Sequence, residues 1–242
     1  MLINKISNIK QLIANKLNKN NPNFNDVKIN ELNDLSSKLW YKSTCNYARK
    51  VKLPLSSEIS KTALLIDAMR YRQYHSQQVA DIALKLFDNN ITTFKKEFTE
   101  IDYTRKILYF SCLIHDIKKF NEPHNKNGAE WFQKNIKNFC HLDDSALFQI
   151  YTIILHHNGK LKMDEKIDNT LKLLILTMRI ADKLSKLQEK SNYKKISNDA
   201  IEITIKKVLK NSKNYLPKNF NSPENFYEFI KTDFYFEKGA LI

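Results

Sequence analysis

Six histidines and two aspartates carry the chemistry open to this chain. His115-Asp116 ends the apolar segment "CLIHDIKKF", and two side chains that ionise or bind metal are costly to bury without compensation. Helical spacing puts His75 on one face with Val79, Ile82 and Leu86. It groups His115 with Leu108 and Cys112, and Asp182 with Leu171, Ile175 and Met178. His124 follows Pro123, and His156-His157 close the apolar run "IYTIIL"; only His141 lacks an inward setting. A single histidine on an apolar face is more often an ordinary core residue than a ligand. Four or five inward imidazoles with two carboxylates are hard to bury unless they share a cation. Nitrogen and carboxylate donors without thiolate suit Mn, Fe, Co, Ni or Zn better than Ca or an iron–sulfur cluster. A carboxylate such as Asp116 can bridge two ions, leaving open positions for water and substrate.

The elements that position these side chains read as helices throughout. With 3 Gly and 5 Pro in 242 residues, tight turns are few, and no alternating strand pattern of useful length occurs. Periodicity and breakers predict helices near 30–50, 57–70, 72–88, 100–120, 126–139, 144–157, 165–190 and 198–213, followed by the aromatic stretch "ENFYEFIKTDFYF". Leu2, Ile6, Ile9, Ile13 and Leu17 share one face of an N-terminal helix expected to pack on the rest of the protein. The expected fold class is all-α.

A hydrophobic fraction of 42% argues against wholesale disorder. Forty basic against 26 acidic residues give +14, which attracts nucleic acid, nucleotides or anionic surfaces, although lysine and asparagine are spread along the whole chain. Cys45, Cys112 and Cys140 form no CxxC pair and are odd in number, so free thiols in a reducing, cytoplasmic setting are expected. No apolar run approaches the ~20 residues of a membrane helix, and the N-terminus lacks a signal-peptide pattern. Neither a nucleophilic Ser or Cys arrangement nor a Gly-rich phosphate loop is present.

The order H…HD…H…HH…D, met by His75, His115-Asp116, His124, His156-His157 and Asp182, resembles the HD-domain superfamily of metal-dependent phosphohydrolases. "HSQQVADIALKL" looks like the family's first helix, and "HDIKK" resembles its HD-x-G-K stretch with Lys118 in place of glycine. "HNKNGAE" is similar to its third histidine motif, and "RIADKLS" to its final A-D-x-[LI] helix. The resemblance covers about residues 72–190. It implies an HD-domain-like helical bundle over 56–190 with helical extensions at 1–55 and, rich in lysine, at 191–242.

It further implies one or two divalent transition metals. His75, His115, Asp116 and Asp182 would hold the first. Asp116 would bridge to a second held by His124 and His156, with His157 a ligand or an adjacent contact. Catalysis would rest on Asp116, Lys119 and Asp182, with Lys119 facing substrate phosphate. The implied reaction is cleavage of a phosphoester or phosphoanhydride bond by metal-activated water, with a phosphorylated small molecule, a nucleotide, as substrate. The alternative is a nuclease acting on single-stranded nucleic acid, tracked by the basic Lys183–Lys218 segment. A di-iron oxygenase or a non-catalytic nucleotide-binding module are further readings. The cyclic-dinucleotide branch is disfavoured, because "HHNGKLKMDE" replaces the GYP motif.

Overall fold

The structure is a computed structural model that describes residues 21–50, 58–90, 100–159, 161, 167–192, 196–217, 220 and 222–231. The expected N-terminal helix and the end of the aromatic tail lie outside the described residues. Among those described the fold is all-α, with no strand beyond an isolated bridge between Asn23 and His141. The helices are α1 (Ile29–Lys50), α2 (Glu58–Asn89), α3 (Ile101–Ile114), α4 (His124–Asn135), α5 (Asp144–His156), α6 (Asn169–Lys190), α7 (Asn198–Lys210) and α8 (Pro223–Lys231).

Helix α3 forms the centre. Ile107, Leu108, Phe110, Cys112, Leu113 and Ile114 are all buried in it, and it packs against α1, α2 and α5. Helix α2 also lies along α6, while α4 covers α5 and α7 and α8 follow on from α6. A helix apolar on most sides must be enclosed, so the His115-Asp116 pair at its end is carried into the interior.

Local capping fixes several of the starts. Asp143 accepts from the Ala146 amide at 2.7 Å at the head of α5, and Asp168 accepts from the Leu171 amide at 2.7 Å at the head of α6. The structure corrects two boundaries. The helices expected at 57–70 and 72–88 are one, because "MRYRQY" around the expected break holds no proline, no glycine and no N-cap residue.

The helix expected to run to residue 120 ends at Ile114. From there the chain turns tightly, with Ile117 N bonded to Ile114 O, Lys119 N to Asp116 O and Asn121 N to Lys118 O. Carbonyls freed at a buried helix end need donors, and α1 supplies them. Trp40 Nε1 donates to Leu113 O at 2.9 Å, and Ser43 Oγ donates to Ile117 O at 2.8 Å.

Candidate metal centre

His75, His115, Asp116, His124, His157 and Asp182 meet in the interior between α2, the end of α3, the start of α4, the end of α5 and the middle of α6, and all six are buried. His75, His115 and Asp182 each offer a donor atom within 4.8 Å of the other two. His115, Asp116 and His157 do the same, so His115 belongs to both groups. Asp116 Oδ1 is 3.5 Å from His124 Nε2 and 3.7 Å from both His157 Nε2 and His115 Nε2. Asp182 Oδ1 is 3.1 Å from His75 Nε2 and 3.8 Å from His115 Nε2.

One pattern runs through the four imidazoles: each Nδ1 is engaged, and each Nε2 faces the aspartates. His115 Nδ1 lies 2.8 Å from Cys112 O, and His157 Nδ1 lies 2.7 Å from Ile154 O. A carbonyl can only accept, so both Nδ1 atoms carry the proton and both Nε2 atoms present lone pairs. Glu122 Oε1 stands 3.0 Å from His124 Nδ1, and Glu189 Oε1 stands 2.8 Å from His75 Nδ1. Helix geometry provides the first two contacts, since a residue at a helix end can turn its ring back onto the carbonyl three residues earlier.

These donors fit a divalent metal. His115 Nε2 and Asp116 Oδ2 are buried without a hydrogen-bond partner, an expensive state for polar atoms. His124 Nε2 and His157 Nε2 approach to 3.1 Å, and two such nitrogens must share a proton or a cation. Burial pushes the His157 ring down to about 3, with the neighbouring His115 ring adding to the effect, so it is a neutral donor at pH 7. Burial opposes ionisation of Asp116, but the His115 and His157 rings and the Lys119 ammonium beside it outweigh that and hold the carboxyl below its ordinary range. Asp182 is likewise held well below that range, because the neighbouring His115 and His75 rings and the Lys186 ammonium overcome its burial.

His156, expected in the second metal set, faces elsewhere. Its Nδ1 is 3.2 Å from the Tyr215 hydroxyl, which in turn donates to Leu161 O at 3.0 Å. Successive helical residues point about 100° apart, and it is His157 that turns toward Asp116. The Arg179 guanidinium stacks on the Tyr215 ring at 4.7 Å, filling the space where a side chain at Gly159 (φ +68°) would stand. His141, set apart in the sequence, is exposed.

Lys119 Nζ lies 3.3 Å from both Asp116 Oδ1 and His124 Nε2, and its side chain is 23% exposed. Lys118, standing where the family pattern has glycine, packs its ammonium over the Trp131 ring at 4.9 Å. Sequence reasoning missed several neighbours. Lys186 Nζ contacts both oxygens of Asp182, Arg72 Nη1 is 3.8 Å from Asp116 Oδ2, and Glu189 and Glu122 brace histidines. Lys186 and Glu189 fall four and seven residues after Asp182, the spacing of one helix face, and that was the available signal.

The family model described as HD domain matches residues 72–187. Neither a curated protein nor a solved structure was found to match the chain.

Proposed function

We propose that the chain, whose residues 72–187 match the HD-domain family model, is a metal-dependent phosphohydrolase that cleaves a phosphoester or phosphoanhydride bond of a nucleotide. One observation carries the reading. Four buried imidazoles have their Nδ1 atoms engaged, so that their Nε2 atoms converge on two aspartates held ionised.

In this proposal His75, His115, Asp116 and Asp182 would hold one divalent ion, and Asp116 with His124 and His157 would serve a second where two bind; His157 takes the role first expected of His156. Ions of the Mn, Fe, Co, Ni or Zn type supply Lewis acidity, polarising phosphoryl oxygens and making water a nucleophile near neutral pH. The chain's own groups do the rest. Asp116 and Asp182 provide oxygen donors that stay charged at neutral pH, and fixed imidazole tautomers spare the site any reorganisation. Lys119 and Arg72, each partly exposed beside Asp116, can meet a phosphate from the solvent side and offset charge growing on its non-bridging oxygens. The free thiols of Cys45, Cys112 and Cys140 agree with a reducing, cytoplasmic setting. No helix among the described residues is long and apolar enough to cross a membrane.

The test is phosphate release by metal-loaded protein from nucleoside mono-, di- and triphosphates, cyclic nucleotides and short single strands. Release from a nucleotide by the wild type, lost in Asp182→Asn, is expected. Absence of release from every nucleotide would overturn the substrate assignment.

A further inference from the structure

Three of the four engaged Nδ1 atoms are held by common means. Two meet backbone carbonyls three residues earlier, and the third meets Glu122, whose side chain is 72% exposed and two residues away. His75 differs. Its Nδ1 meets the carboxylate of Glu189, a residue 114 positions away on α6, whose side chain is only 18% exposed. The other oxygen of Glu189 accepts from the Tyr71 hydroxyl at 2.9 Å, so the carboxylate is itself oriented. Glu189 lies two residues beyond the segment matched to the family.

We infer that Glu189 is a positioning residue that fixes the tautomer and ring orientation of His75, so that Nε2 is presented beside Asp182. The inference rests on the proposed metal centre and deepens it.

His75 Nδ1 has a second neighbour, Ser185 Oγ at 3.2 Å. A hydroxyl can donate or accept, so Ser185 alone leaves both tautomers open. If it donated, the proton would sit on Nε2 and no lone pair would face Asp182. An ionised carboxylate only accepts, so at 2.8 Å Glu189 requires a proton on Nδ1, and Nε2, 3.1 Å from Asp182 Oδ1, is left as the nitrogen whose proton a metal ion would replace. With Glu189 in place, the Ser185 proton goes instead to Gln78 Oε1, 3.5 Å away. A carboxylate behind a ligating imidazole also raises the basicity of the ring, and loss of such a partner typically lowers metal affinity about 10- to 100-fold. Both effects act in one direction.

The test compares wild type with Glu189→Gln, in which the amide can donate to Nδ1 and reverse the tautomer, and with Glu189→Asp and Tyr71→Phe. The first readout is the imidazole nitrogen NMR spectrum of metal-free protein, with His75 assigned through His75→Gln. Wild type should show a protonated Nδ1, and Glu189→Gln should lose that proton from Nδ1. The second is the dissociation constant for Co or Zn by chelator competition. Glu189→Gln should weaken binding about 10-fold or more, Tyr71→Phe less, and Glu189→Asp should recover part of the loss. Glu122→Gln, at an exposed partner, should matter less than Glu189→Gln. An unchanged His75 spectrum in Glu189→Gln would overturn the inference, as would wild-type metal affinity in that variant. Failure of wild type itself to bind metal would instead count against the metal centre. A melting curve for each variant separates these results from misfolding, and the NMR comparison is made only on variants that melt cooperatively.

Discussion

Lys186 Nζ lies 2.7 Å from both carboxylate oxygens of Asp182, one helical turn away on α6. An ammonium in that place offsets the buried carboxylate, and it competes with a divalent ion for the same oxygens. Its removal should therefore act in opposite senses on the metal-free and metal-loaded protein.

Lys186→Met should lower the melting temperature of metal-free protein, and tighten Co or Zn binding by about 3- to 10-fold as a repelling charge leaves a partly screened site. Calorimetry and chelator competition measure the two effects. Weaker metal binding in Lys186→Met would contradict this account.

His156 and His157 should separate cleanly. His157→Ala should reduce bound metal and phosphate release, because its Nε2 faces Asp116. His156→Ala should leave bound metal nearly intact and cost about 1 kcal/mol of stability through the lost Tyr215 bond. Elemental analysis and denaturant melts decide it, and equal metal loss in both variants would return His156 to the site.

Acid should unfold the metal-free protein through the same groups. The His157 ring titrates at about 3 when folded against an ordinary value of 6.5, so between those values the unfolded chain binds the extra proton. Stability from this group is complete above about 6.5 and falls as the pH drops toward 3. Asp116 and Asp182, held below the ordinary 3.8, lose their stabilising contribution as the pH falls through about 3.8 toward their lowered folded values. Urea midpoints of wild type should decline from about pH 6.5 to about pH 4, and His157→Gln should flatten the slope. Parallel slopes would contradict the burial of a neutral ring there.

The basic charge should not be needed for small substrates. Lys207 and Lys210 lie in the last turn of α7, and Lys213 follows in a 3-10 turn. Lys206 is already paired with Glu202 at 2.7 Å and is best left intact. The triple change of Lys207, Lys210 and Lys213 to Glu should leave nucleotide hydrolysis within about twofold. Strand cleavage that falls steeply with salt and vanishes in the triple variant would favour the nuclease alternative.

How much was legible in the sequence differs by residue. His75, His115, Asp116, His124 and Asp182 could be read because helical spacing and a dipeptide at the end of an apolar run already set them inward. Which of His156 and His157 turns toward Asp116 depends on how α5 lies against α3 and α4, a tertiary fact that no local spacing encodes. Lys186 and Glu189 read as solvated charges on an otherwise amphipathic helix until Asp182 and His75 were in place to receive them. The early end of α3 was hidden for a related reason. Its freed carbonyls are satisfied by Trp40 and Ser43, more than 70 residues earlier in the chain.

The central claim is that these buried donors hold metal, and the most direct measurement is elemental analysis of wild type, Asp116→Ala and His141→Ala after purification and reconstitution. Wild type and His141→Ala should carry at least about one equivalent of transition metal per chain, and Asp116→Ala should lose most of it. Equal metal content in wild type and Asp116→Ala, or none in either, would contradict the account.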